Sequence, residues 1–156
     1  MKYTVPMVRQ VSAIRSLIAA AIVAGAALAS YFLLGPGTSM VFFLALLLYA
    51  LASRELFFRH HRRGIRFLRA NHWEAAIAEF EASLADLEKH PWKDRLRSIL
   101  ALSLSAMMYR EMAILNLAFA FGQTGNREQA RRYYEQCLKE YPNNGIAIAA
   151  MNLLGK

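Results

Sequence analysis

The spacing of apolar and polar positions changes character partway along this chain. Residues 16–53, SLIAAAIVAGAALASYFLLGPGTSMVFFLALLLYALAS, hold no Asp, Glu, Lys or Arg. A helix drawn through them is apolar on every side, which a small soluble core has difficulty covering. About 20 apolar residues cross a hydrocarbon layer as a helix. Residues 16–34 meet that length. A second helix runs over 38–53, with Leu56, Phe57 and Phe58 extending it while Arg54 snorkels to the headgroups. Gly35, Pro36 and Gly37 break the run, since proline lacks an amide donor and glycine accepts turn geometry. The short uncharged link predicts an antiparallel hairpin. In the first helix Ala21, Gly25 and Ala29 share one face, on which the second helix is expected to pack closely.

Beyond the run, the pattern becomes that of amphipathic helices and repeats itself. Gly64, Phe67, Asn71, Ala76, Phe80, Ser83 and Leu84 have counterparts at identical intervals in Ala118, Phe121, Gly125, Ala130, Tyr134, Cys137 and Leu138. Self-similarity of this kind marks a repeated helix–turn–helix unit. Small residues suit the close crossing of two helices, and aromatics fill the space between them. Asn71 and Gly125 fall at the turns, where left-handed backbone is often required.

This spacing resembles the tetratricopeptide repeat. The downstream copy, 111–144, carries small Ala118, aromatic Phe121, Gly125, Ala130, aromatic Tyr134, small Cys137 and terminal Pro142. The upstream copy, 57–91, departs by having Asn71 for glycine and by Pro91 arriving three residues late. Residues 145–155 are expected to form a closing helix. The copies lie 54 residues apart, from Asn71 to Gly125, against a period of about 34 in tandem repeats of this type. The excess predicts an added helix from Trp92 to about Leu102, a break at Ser103–Ser105, and Ser105 capping the next helix. A single helix from Lys93 to Gln123 is the alternative.

Charge places the chain further. The formal net charge is +8. Residues 1–15 contribute Lys2, Arg9 and Arg15; residues 54–71 contribute Arg54, Arg59, Arg62, Arg63, Arg66 and Arg69 against Glu55; residues 72–156 balance. All of the excess therefore flanks the uncharged run. A nucleic-acid binder spreads basic residues over its folded domain, so nucleic acid is not the expected partner. Lys and Arg are retained on the cytoplasmic side of a membrane, which puts both termini in the cytoplasm and the Gly35–Gly37 turn outside. Arg54, Arg59, Arg62, Arg63 and Arg66 are the expected contacts to anionic lipid headgroups. Some arginines of the first repeat helix can also pair with Glu74, Glu79, Glu81, Asp86 and Glu88 of its partner helix, about 73–88. Two other accounts of the run remain: a signal peptide cleaved at Ala27–Ala29, and a hairpin buried in a soluble core. The run continues past the cleavage site into a second span, which favours membrane insertion.

Candidate chemistry is sparse. His60 and His61 are adjacent and point about 100° apart on a helix, and neither they nor His72 and His90 have metal-ligand spacing. They read as interfacial or turn histidines. The single Cys137 excludes an intramolecular disulfide and occupies a packing position of the repeat. Tyr133, Tyr134 and Tyr141 beside Arg131 and Arg132 have helical spacing and read as core and solvated face. No phosphate-binding loop and no catalytic triad is recognisable, so neither an enzyme nor a cofactor is expected. Asn116 is the polar residue that stands out. Peptide-binding tetratricopeptide repeats often place an asparagine there, so the resemblance implies a groove lined by Arg110, Met112, Leu115, Asn116, Phe119 and Gln123. Asn116 facing solvent or a neighbouring helix is the other reading. Residues 98–108, SILALSLSAMM, either pack under the repeats or form an exposed apolar patch.

The expectation is an all-α protein: a basic segment over 1–15, a transmembrane hairpin over 16–56 and a tetratricopeptide-like cytoplasmic domain over 57–156. The implied role is an adaptor or scaffold, binding protein partners and anionic lipid at the inner face of a bacterial-type membrane. A homo-oligomeric or lipid-contacting structural subunit without a peptide groove is the rival.

Overall fold

A computed structural model describes residues 13–97 and 105–155, and every regular element among them is a helix. The helices are α1 (Ala13–Leu34), α2 (Pro36–Phe57), α3 (Arg59–Arg69), α4 (Trp73–Lys89), α5 (Pro91–Arg95), α6 (Tyr109–Gln123), α7 (Arg127–Glu140) and α8 (Gly145–Leu154). They form two compact units, one built on α1 and α2 and the other on α3, α4 and α6–α8.

In the hairpin unit α1 and α2 pack against each other. The break between them takes one residue instead of the expected three. Gly35 alone is non-helical, at φ +85°, with its N–H donating to the Tyr31 carbonyl at 3.0 Å. Pro36 opens α2 as its first residue, where a missing amide costs nothing because no intrahelical acceptor precedes it. Among the described residues, Met40–Phe57 has the length and apolar composition to cross a membrane, and Ala20–Leu33 is a shorter apolar stretch. The small face expected at the packing seam lies elsewhere: Ala21, Gly25 and Ala29 are exposed, and a Cβ on Gly25 would meet nothing within 4 Å. Among the described side chains of α1 the sheltered ones are Val23, Ala26, Ala27 and Ser30. Alanine occurs all round α1, so three small residues in register do not single out a face.

The repeated unit is two helix pairs, α3–α4 and α6–α7, with α4 packed on α6 and α8 closing on α7. The two turns are made alike. His72 and Asn126 donate their N–H to the carbonyls of Phe67 (3.0 Å) and Phe121 (2.9 Å); Asn71 and Gly125 donate to Leu68 and Gly122, both at 3.2 Å. Asn71 at φ +60° and Gly125 at φ +81° take the left-handed backbone that such a helix stop needs. Asparagine is the residue next best suited after glycine to that conformation, which explains how the upstream copy keeps the turn. The copies differ at the next residue. Asn126 caps α7 by accepting from the Gln129 N–H at 3.1 Å, whereas His72 makes no side-chain cap on α4.

Two apolar clusters fill this unit. Leu68, Ala76, Phe80, Leu117 and Ala120 join the first pair to α6. Met107, Ile114, Leu115, Ala118, Ala130, Tyr134, Cys137 and Ala147 join the second pair to α8. Gly64 is where α3 crosses α4: a Cβ there would sit 2.8–2.9 Å from three ring carbons of the fully buried Phe80. His61 lies on the same buried face, its ring edge-on to Phe80 (5.6 Å) and Tyr109 (5.0 Å). It is a core residue, not an interfacial or turn one. Its spacing to Gly64 and Leu68, i, i+3 and i+7, is the helical period that would have revealed it.

In the connection between the pairs, the helix expected from Trp92 is interrupted at Leu96, while its continuation to about Leu102 and most of the expected break at Ser103–Ser105 lie outside the described residues. A five-residue α5 starts at Pro91, the chain turns at Leu96, and residues 98–104, which carry most of the 98–108 stretch, lie outside those described. Met107 is buried in the second cluster and Met108 is exposed. Ser105 does not cap α6, and no single helix runs from Lys93 to Gln123. Met108 is the N-cap, with its N–H donating to Glu111 Oε2 at 3.3 Å. The next two amides, of Tyr109 and Arg110, donate to the Asp94 carboxylate at 2.9 and 3.0 Å. A carboxylate at a helix start satisfies orphan donors and opposes the positive end of the helix dipole. Here it is supplied by α5, so no local Ser or Thr signal marks the start.

Candidate functional site

The start of α6 is held from three sides. Glu111 Oε1 accepts from Asn144 Nδ2 at 2.8 Å, and Asn144 Oδ1 in turn accepts from the Ala147 N–H at 2.9 Å, capping α8. Arg110 Nε and Nη2 donate to Glu140 at 2.7 and 2.9 Å, and its Nη1 donates to Glu88 at 2.9 Å. That fork ties α6 to the ends of α4 and α7. The hydrogen bonds from Arg110 hold the Glu140 carboxyl below its usual range, and the same bonds raise the guanidinium further.

The six residues expected to line a groove divide on this framework. Leu115 is in the core and offers no surface. Arg110 is committed to Glu140 and Glu88, so it is not a basic clamp for a ligand. Met112, Asn116, Phe119 and Gln123 fall within about 60° of one another around α6 at ~100° per residue. Gln123 is exposed and the other three are half-buried. Phe119 packs edge-on against Trp73 of α4 at 6.1 Å, so it also forms the junction between the helix pairs. Asn116 makes no side-chain hydrogen bond within the described residues, which leaves an amide donor and acceptor on the stripe.

Two buried titratable groups of the repeat unit are shifted by their surroundings. Burial, then Glu111 and Glu140, pushes the Cys137 thiol up to about 12, so it is not a thiolate at neutral pH. Burial lowers His61 to about 4, and its Nδ1 has no hydrogen-bond partner. Among the described residues no three His, Cys, Asp or Glu side chains converge to hold a metal ion. Arg131 and Arg132 pair along α7 with Glu135 and Glu128 at 2.9 and 2.6 Å, as a solvated helix face does. Tyr133 stacks on Phe121 at 5.6 Å between the helices of the second pair.

The α3 arginines are arranged differently. Arg59, Arg62, Arg63, Arg66 and Arg69 are all exposed. Of the pairing expected across α3 and α4, Glu79 receives His60 at 2.8 Å and Arg63 at 3.8 Å. Asp86 bonds Lys93 at 2.8 Å and Glu88 bonds Arg110, so those two carboxylates turn to α5 and α6. The side chain of Arg54 is not among those described.

The left-handed turns, the small-on-aromatic crossings and the paired stacking are now joined by a sequence match. Residues 100–144 match the tetratricopeptide repeat family. The match covers the second helix pair and begins upstream of the expected 111. Neither the curated proteins nor the solved structures contain a match to the chain. Tetratricopeptide repeats bind protein partners and are typically non-catalytic. The α3–α4 pair lies outside the match and has the same turn hydrogen bonds 54 residues earlier, Asn71 standing where the repeat has Gly125.

Proposed function

We propose that the protein is an adaptor that its hairpin holds at the cytoplasmic face of a bacterial-type inner membrane, while its repeat unit recruits or assembles protein partners. The observation that carries the reading is the α6 stripe. Asn116, with an unused amide between Met112, Phe119 and Gln123, offers an extended backbone both a donor and an acceptor beside apolar surface. Met40–Phe57 and the basic residues on either side of the uncharged run support the anchor and its orientation. Two helix pairs make a short groove, so the adaptor acts within a larger assembly where several weak contacts add.

The test is capture from membranes in mild detergent with the full chain and with Asn116→Ala/Gln123→Ala. A reproducible partner that the variant loses is expected. No partner, or one retained undiminished by the variant, refutes the groove. A homo-oligomeric subunit is the second reading, favoured by the outer face of α8, where Ile148 is 43% and Leu153 75% exposed. End helices of repeat stacks ordinarily turn a polar face outward. Cross-linked oligomers abolished by Leu153→Glu, with no foreign partner, would decide for it.

A further inference from the structure

Asn144 is followed by glycine, which is true of no other asparagine in the chain. An asparagine in that setting carries its own reactant. The backbone nitrogen of the next residue can attack the side-chain amide carbon, and glycine has no Cβ to obstruct the approach. The fold puts this pair at a joint: Asn144 is 8% exposed, and Gly145 is the first residue of α8. Asn144 Nδ2 donates to Glu111 Oε1 at 2.8 Å and its Oδ1 accepts from the Ala147 N–H at 2.9 Å, so the amide is fixed at both ends. The backbone is engaged as well. The Asn144 N–H donates to the Tyr141 carbonyl at 3.0 Å, and the Asn144 carbonyl accepts from the Ile148 N–H at 3.1 Å. At φ −73° and ψ 104° the residue is extended. Bringing the Gly145 nitrogen over Cγ requires rotation about ψ, and because α8 begins at Gly145 that rotation swings the whole helix away from α7.

We infer that Asn144–Gly145 is a self-modification site, a deamidation switch kept latent by the docking of α8. When α8 opens, the Gly145 nitrogen gives its proton to water or hydroxide and forms a bond to Asn144 Cγ. The Cγ–Nδ2 bond breaks, and Nδ2 leaves with a proton as ammonia. Water then opens the cyclic imide at one of its two carbonyls. Attack at Cγ leaves aspartate; attack at the backbone carbonyl reroutes the chain through the side chain as isoaspartate. No electron changes hands, and solvent water is the only co-reactant. Either product lacks the Nδ2 donor and sets a second carboxylate against Glu111. Isoaspartate also adds a methylene to the backbone and loses the cap on Ala147. A transient opening thereby becomes a permanent one, at the helix that closes the stack on α7. The inference depends on neither the anchor nor the α6 stripe.

The experiment ages the full chain in detergent at mildly alkaline pH, with and without denaturant. Peptide mass mapping follows conversion at Asn144, with Asn143 as internal reference, and isoaspartyl methyltransferase labelling reports isoaspartate. In denaturant Asn144 should convert faster than Asn143, and folding should slow it roughly tenfold or more. Glu111→Ala should convert roughly fivefold to tenfold faster than the folded parent. The aged parent should lose amide-exchange protection over 145–154. Gly145→Ala, whose added Cβ meets nothing within 4 Å, should stay unconverted and protected. Asn144 converting no faster than Asn143 in denaturant overturns the site. A parent that converts equally fast folded and unfolded overturns the latch, as does Glu111→Ala converting no faster than the parent. The comparison of folded with unfolded chain needs only the parent, so it stands even where Glu111→Ala does not fold. A converted chain whose α8 exchanges like that of the fresh chain overturns the switch.

Discussion

Replacing Gly64 with alanine adds a methyl group where the Phe80 ring already stands. The ideal Cβ would lie 2.8 Å from Cε1 and 2.9 Å from Cδ1 and Cζ, against about 3.5–4.0 Å for a comfortable carbon contact. Phe80 cannot withdraw easily, since it is fully buried among Leu68, Ala76, Leu117 and Ala120, with His61 against its edge. Two effects oppose each other. Alanine favours the helical backbone of α3 by about 1 kcal/mol over glycine. Overpacking a filled core costs about 1–3 kcal/mol, and a gap this short puts the cost in the upper half of that range. The net expectation is a loss of about 1–2 kcal/mol, or a fall in melting temperature of several degrees, at ~4–8 °C per kcal/mol for a unit of this size. Trp73 fluorescence is a suitable probe for the full chain in detergent, because its ring packs on Phe119 at the α4–α6 junction. Gly145→Ala is the control, with nothing within 4 Å of its added Cβ. Gly64→Ala/Phe80→Leu should recover part of the loss relative to Phe80→Leu alone. A Gly64→Ala chain as stable as the parent, with Gly145→Ala unchanged, would refute the close crossing of α3 and α4.

Giving the first turn the residues of the second, Asn71→Gly/His72→Asn, should stabilise α3–α4 by about 1–2 kcal/mol in denaturant titrations, by relieving a left-handed asparagine and supplying a cap. Asp94→Ala should cost about 1–2 kcal/mol through the exposed start of α6, with Asp94→Asn recovering part of it. Arg110→Gln should cost about 1 kcal/mol at neutral pH, a small figure because the pair is partly exposed. Since the folded-state Glu140 pKa is depressed by the Arg110 bonds, that contribution is present above the ordinary value of 4.5 and fades as pH falls through the lower folded value. Melting curves of parent and variant should therefore converge in acid. His61 is depressed by burial, so the parent should lose stability as pH drops from 6.5 toward about 4, and His61→Leu should flatten that slope.

The repeat was legible in the sequence because its signal is made of positions that must be small, aromatic or left-handed whatever lies around them. Asn71 and Gly125 were identified as turn residues by spacing, and both have positive φ. What escaped was held together by contacts distant along the chain. Asp94 caps a helix that starts fifteen residues later, and Asn144 reaches Glu111 across thirty-three. Neither has a local signature. Of the six residues that the resemblance implied on α6, Met112, Asn116, Phe119 and Gln123 share a face, but the resemblance could not show that Leu115 turns inward or that Arg110 is taken by Glu140 and Glu88. The small-residue face of α1 failed for a different reason, since an alanine-rich helix offers such a face in several directions.

With Asp94 bonded to the amides that open α6, the fourteen residues between Asp94 and Tyr109 become an excursion with both ends pinned. Lengthening a pinned excursion costs only about 0.6 kcal/mol for each doubling, and α4 still meets α6 directly. The Asp94 bonds, more than the length of chain they enclose, therefore fix where α6 begins beside α5.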